Sequence, residues 1–265
     1  MISLVQLLNE VEGKPKAIIL AGAPGAGKGY ILKGLDLGGL KVLNIDNTFI
    51  SMLKQANVTL DLKNATPEER SEQAKAMAAA NKEFKGEVQA TIEGKESFIL
   101  DGTAASYNKT AELKQQLEEA GYDVFMLYVY TDLQRSLSQN QDRYRKSGGE
   151  DRSLAPAIVM RTWKSVTENL PKYADLFGNN FVAVANTLDD RMQDIDKIIN
   201  KYLKPFTPTD TKPKTPAQQK KSDERNAQDK EEIQAMLSDY FVYDVIEYTM
   251  SKDEAQMRIA QFLRS

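Results

Sequence analysis

Residues 16–30 read KAIILAGAPGAGKGY, an unbroken apolar run that ends in a glycine-rich turn carrying a lysine. A run this short and this apolar fits a strand buried on both faces, as in a parallel sheet. The turn, Gly22-Ala23-Pro24-Gly25-Ala26-Gly27-Lys28-Gly29, has the spacing G-x-x-x-x-G-K. Glycines at this spacing let consecutive backbone N–H groups turn inward around phosphate oxygens. The N-terminus of a following helix adds positive potential, and a lysine there reaches the outer phosphates. Ile31, Leu32 and Leu35 continue at helical spacing, so strand, loop and helix are all in place.

Outward from this loop, apolar runs alternate with helical patterns. Residues 41–46 (KVLNID), 97–101 (SFILD), 123–130 (DVFMLYVY) and 181–185 (FVAVA) read as four further strands. Helices are expected over 47–55, from Thr66 to Glu93, and over 109–120, 132–146 and 189–203. Another should follow the loop 147–153 and stop at Pro171. Thr66-Pro67-Glu68-Glu69 is a capping-box start with proline at the first helical position. Strands alternating with helices predict an α/β, three-layer fold with a five-stranded parallel sheet and right-handed crossovers. A short amphipathic helix is expected over residues 2–11, with neither the basic flank nor the cleavage site of a signal peptide.

Composition narrows the chemistry. The chain has 265 residues, a formal net charge of −3, and neither histidine nor cysteine. Thiolate nucleophiles, disulfides, imidazole bases and sulfur- or histidine-bound metals are excluded. Acid–base work falls to carboxylates, Lys, Arg, Tyr and backbone, and any divalent ion must be oxygen-bound, magnesium or calcium. The near-neutral charge gives no global field for nucleic acid. No apolar run approaches the ~20 residues that cross a bilayer, so the expected location is cytoplasmic, away from membranes.

Two acids end strands at the edge where open α/β sheets bind ligands. Asp101 ends the third strand; it either holds a metal ion or caps the turn that follows. Asp46 ends the second strand; it either accepts the proton of an attacking hydroxyl or caps the next helix. Arg143 and Arg152 flank the glycine-rich loop 147–153, with Arg135, Arg145 and Arg161 nearby, an arrangement suited to a lid whose guanidinium groups neutralise phosphoryl charge.

The loop G-x-P-G-x-G-K-G resembles that of adenylate kinase, with Tyr30 in place of the threonine expected there. Together with Asp46, FILDGTAAS at 98–106, the arginine-rich segment through 152 and the tryptophan-bearing helix after it, the chain resembles the zeta-toxin and polynucleotide-kinase group of P-loop kinases over roughly residues 16–190. The resemblance implies a P-loop NTPase fold and phosphorylation of a hydroxyl-bearing acceptor by ATP or GTP. It also implies residues 22–30 as the nucleotide-binding loop, Lys28 on the phosphates, Asp46 as base, Arg143 and Arg152 as lid arginines, and Thr103 against the substrate. Magnesium is expected to be held through water and Asp101, because the loop supplies no hydroxyl at Gly29. Asp101-Gly102-Thr103-Ala104 departs from the sequence of nucleoside-monophosphate kinases, which stands as the second reading. A catalytically silent nucleotide-binding domain is the third.

After residue 203 the composition breaks. Four of the nine prolines (205, 208, 213, 216) and a lysine excess mark a linker over 204–222. Residues 223–265 then read as a helical C-terminal module, carrying Ile233, Met236, Leu237, Tyr240 and Phe241. Its last helix starts at Ser251 and bears Met257, Ile259, Phe262 and Leu263. Some forty residues fold poorly alone, so this module is expected to dock on the main domain, a second copy or a protein partner.

Overall fold

A computed structural model describes residues 13–35, 40–62, 65–148, 151–152, 154–186 and 248–265, with single positions at 216, 220 and 231. The expected helices over 2–11 and 189–203, the one carrying Ile233 to Phe241, and all of the linker but Pro216 and Lys220 lie outside them. In chain order the elements are β1 (Lys16–Ala21), α1 (Lys28–Gly34), β2 (Lys41–Leu43), α2 (Ile45–Gln55), α3 (Pro67–Glu93), β3 (Phe98–Asp101) and α4 (Tyr107–Glu119). They continue with β4 (Asp123–Tyr130), α5 (Leu133–Lys146), α6 (Pro156–Phe177), β5 (Phe181–Ala185), β6 (Thr249–Met250) and α7 (Lys252–Arg264).

The sheet has six strands in the order β2-β3-β1-β4-β5-β6, every pairing parallel. β1 is central and buried along its whole length. Two apolar layers cover the sheet. One joins Ile18, Leu20, Phe125 and Val182 to Ile31 and Leu32 of α1, to Leu35 just after it, and to Ala255, Ile259, Phe262 and Leu263 of α7. The other sets Ile19, Met126 and Ala183 against Val166, Leu170, Tyr173 and Phe177 of α6. α3 opens with the expected capping box: the Thr66 hydroxyl accepts from the N–H of Glu69, whose carboxylate accepts from the N–H of Thr66.

The structure departs from the sequence reading in four places. A sixth strand, β6, extends the sheet, pairing Ala183 with Thr249 and Val184 with Met250. Residues 249–265, the end of the stretch expected to dock on the main domain, a second copy or a partner, share the sheet and core with β5 and the strands before it. The second strand stops at Leu43; Asn44 keeps an extended backbone (φ −141°, ψ 114°) but is the N-cap of α2, its side chain accepting from the Asp46 N–H, so Asp46 sits in the first turn of a helix, not at the end of a strand. Pro171 lies inside α6. A mid-helix proline costs roughly 3 kcal/mol, yet the turns beyond it are held by buried Tyr173 and Phe177 and by the Tyr173 hydroxyl donating to Ala104 O at 2.7 Å. Met257, assigned to the apolar face of α7, is 67% exposed while Ile259 and Leu263 are buried.

Phe262 is the anchor of α7. It is 6% exposed, its ring centroid lies 4.9 Å from that of Phe125, and the Lys16 ammonium sits 5.1 Å from it. Phe262→Ala is expected to lower unfolding free energy by roughly 3–5 kcal/mol, read from urea denaturation. An unchanged midpoint would mean that α7 does not contribute to this core.

Candidate active site

The glycine loop is shaped by what it packs against. Gly25 and Gly27 have φ of 77° and 79°, in the left-handed region that side chains avoid. A Cβ on Gly25 would lie 2.4 Å from the Ser136 carbonyl oxygen, and one on Gly27 2.3 Å from Asn186 Nδ2. Both neighbours also hold the loop directly. The Ser136 hydroxyl of α5 donates to Pro24 O, and Asn186, just after β5, donates to Ala26 O at 2.8 Å. Gln139 Nε2, with its amide oriented to satisfy both ends, donates to Gly25 O at 2.9 Å while its oxygen accepts from Arg135. The loop is thus fastened to the helix that carries the candidate lid arginines.

Above it opens a cavity of about 780 Å³ at the C-terminal edge of the sheet. Its walls bring together Gly25, Ala26, Gly27, Lys28 and Gly29 of the loop, Asp46 of α2, Asp101 of β3, Thr103, Arg143 of α5 and Arg152. Gly22, Ala23 and Pro24 lie beneath and do not line it. The ammonium of Lys28 donates to Gly22 O at 3.2 Å and stands 3.9 Å from Asp101 Oδ1. Tyr30, read as part of the nucleotide site, does not line the cavity either. Two residues beyond Lys28 on α1 its side chain points away, 66% exposed, with the Lys252 ammonium 4.7 Å from its ring centroid. Arg135, Arg145 and Arg161 are likewise absent from the walls; Arg145 pairs with Asp142 at 2.6 Å.

Electrostatics follow from burial. Burial pushes the Lys28 ammonium below the usual lysine range, with Arg143 and Arg152 adding to the effect and Asp101, then Asp46, opposing it. Burial raises the Asp101 carboxyl, against the pull of Lys28 and of the Asn44 hydrogen bond. Asp101 Oδ1 is buried and has no hydrogen-bond partner, whereas Oδ2 accepts from Asn44 Nδ2 at 2.6 Å. Arg152 pairs with Asp46, and Arg143 with Asp151, the residue next to Arg152.

An unsatisfied carboxylate oxygen beside a phosphate-binding loop fits a divalent ion. Among the described residues no group of three acids forms a metal cage, which suits magnesium held by one carboxylate, phosphates and water. Several site residues escaped the sequence reading: Asn44, Ser136, Gln139, Asp142, Lys146 and Asn186. An Asn two positions before Asp46 is the N-cap pattern that could have flagged Asn44. Asn186 was detectable as the first residue after a strand at the ligand edge. Nothing local distinguishes Ser136 or Gln139 from any polar residue on a helix.

The parallel sheet, the loop between β1 and α1, and the acid on the strand beside β1 define a P-loop protein of the kinase-like type. The zeta-toxin family model matches residues 5–201, and the chain belongs to the zeta-toxin family. No curated protein matches it. Among solved structures, the AvrRxo1-ORF1:AvrRxo1-ORF2 complex with sulphate ions is 16% identical at a TM-score of 0.53, covering 98% of this chain and 84% of that one. The AvrRxo1-ORF1:-ORF2 structure with ATP is 15% identical at a TM-score of 0.50, over 100% and 84%. A structure from the PezAT toxin–antitoxin system of Streptococcus pneumoniae is 16% identical at a TM-score of 0.45, over 88% and 92%. At these identities the likeness is one of fold. No helix among the described residues is long and apolar enough to cross a membrane.

Because Asp101 is the largest charge holding the Lys28 ammonium protonated, Asp101→Asn should move the pH midpoint of Lys28 acylation, followed by mass spectrometry in metal-free buffer, to lower pH. A midpoint that stays in place or rises would contradict the coupling.

Proposed function

We propose that the protein is a phosphotransferase that moves the γ-phosphoryl group of ATP to a hydroxyl of a small molecule or nucleic acid. The observation that carries this reading is the convergence of Lys28, Asp46, Asp101, Arg143 and Arg152 on one cavity over the glycine loop. Family membership supports it, as does the fold shared with a structure that contains ATP.

Each residue then has a role. The loop N–H groups and Lys28 bind and orient the phosphates. The acceptor oxygen attacks phosphorus, the bond from the γ-phosphorus to the bridging oxygen breaks, and the acceptor proton passes to Asp46. Arg143 and Arg152 neutralise charge on the transferring group. Thr103, on the cavity wall, contacts the acceptor. Asp101 would hold magnesium, whose positive charge would help neutralise the phosphates. Arg152 pairs with Asp46 in the present arrangement, so an incoming γ-phosphoryl must draw this guanidinium away before Asp46 can take a proton. GTP fits the loop equally well, because phosphate contacts carry no base information. A protein partner is a further part of the proposal: one of the similar structures is a two-component complex.

Radiolabelled ATP offered with nucleosides, nucleotides, sugars and 5′-hydroxyl DNA should yield a phosphorylated product with the wild type and none with Lys28→Ala. Asp46→Asn should lower turnover by about 10²–10⁴-fold while nucleotide affinity is kept. Undiminished turnover in Asp46→Asn would remove it as the base.

A further inference from the structure

Asn44 touches both acids that the proposed reaction needs. Its side-chain oxygen accepts from the backbone N–H of Asp46 at 2.7 Å, capping α2. Its Nδ2 donates to Asp101 Oδ2 at 2.6 Å. One rigid amide therefore spans the first turn of α2 and the end of β3, with Asn44 and Asp101 57 positions apart in the chain. The bond to Oδ2 has a second effect. It fixes the rotation of the Asp101 carboxylate, and the oxygen left over, Oδ1, is the buried one without a hydrogen-bond partner, 3.9 Å from Lys28 Nζ. Asn44 also lines the cavity itself.

We infer that Asn44 is a positioning residue. It sets the spacing of Asp46 and Asp101 and presents Asp101 Oδ1, unpaired, to the divalent ion that accompanies a nucleotide. The amide suits this task as few side chains do. Serine or threonine would cap α2 as well but is too short to reach Asp101, and aspartate would cap it while setting a second carboxylate against the first. Groups that orient a metal-holding carboxylate tune its affinity as the ligand itself does. The inference rests on the proposed phosphotransfer for the role of Asp46, whereas the part concerning Asp101 stands on ion and nucleotide binding.

The test separates these parts. Affinity for a fluorescent, non-hydrolysable ATP analogue is measured with and without magnesium in wild type, Asn44→Ser, Asp101→Asn and the double variant. Asn44→Ser keeps the helix cap, so its thermal unfolding midpoint should match wild type; Asn44→Thr serves as a second cap-competent variant if it does not. The magnesium-dependent gain in affinity should fall by about 10-fold in Asn44→Ser, with magnesium-free affinity unchanged. The double variant should fall no further than Asp101→Asn alone, because one residue acts through the other. An intact gain in Asn44→Ser, losses that multiply in the double variant, or a wild type without any magnesium-dependent gain would each overturn the inference. Loss of kcat in Asn44→Ser at saturating nucleotide and magnesium supports the Asp46 part, and an undiminished kcat overturns it. A wild type that binds the analogue with magnesium and never turns over would instead remove the phosphotransfer reading, leaving the Asp101 part intact.

Discussion

An ammonium buried at the edge of a parallel sheet has to find negative charge, and Lys28 is left short of it. Its hydrogen bond goes to a backbone carbonyl, and the Asp101 carboxylate stands at 3.9 Å, beyond hydrogen-bond reach. Arg143 and Arg152 face the same cavity and disfavour the charge further. Most of the surrounding architecture follows from keeping this cation in place and unsaturated. The loop that carries it is pinned from below by Ser136 and Asn186, the adjacent carboxylate is turned by Asn44, and the remaining polar walls face the same space. The site has an excess of positive groups that a polyphosphate would complement.

How much of this could be read from the sequence depended on whether the signal was local. β1, β4 and β5 were found at their observed bounds, because a short apolar run between turn residues has no competing reading when the whole strand is buried. The loop was recognisable because its glycines are required by backbone geometry at Gly25 and Gly27. The strand-end rule picked out Asp46 and Asp101, the loop motif Lys28, the arginine-rich segment Arg143 and Arg152, and the family resemblance Thr103; all six line one cavity. Reading failed where a distant contact outweighed local propensity. Pro171 marks a helix end in isolation, but Tyr173 and Phe177 pack beneath the sheet and carry the helix past it. KVLNID reads as one strand, but the Asn44 side chain, reaching forward to the Asp46 N–H, caps a helix that takes its last two residues. β6 is two residues long and means nothing without β5 beside it. Tyr30 was assigned by motif position, and the helix simply turns it outward.

The absence of histidine and cysteine takes on a sharper meaning beside the geometry. With imidazole and thiol excluded, proton acceptance and ion holding fall to the carboxylates present, and the cavity walls contain three: Asp46, Asp101 and Asp142. Asp142 pairs with Arg145 and Lys146 on α5. The other two are those that Asn44 joins. Their surroundings differ: Asp46 meets the Arg152 guanidinium, Asp101 a lysine and an amide.

The position of α7 bears on how the chain reaches this state. β5 ends at Ala185 and β6 begins at Thr249, so 63 residues, 186–248, intervene between two strands that pair side by side. During synthesis the sheet face bearing Ile18, Phe125 and Val182 waits for Ile259, Phe262 and Leu263 before that layer can close. Bringing such distant segments together carries a loop-closure cost in entropy and slows folding relative to local pairing. A nascent chain interrupted between β5 and the last helix would keep its glycine loop and both acids, yet display an apolar sheet face, making the unfinished protein a client for chaperones or proteases rather than a working fragment.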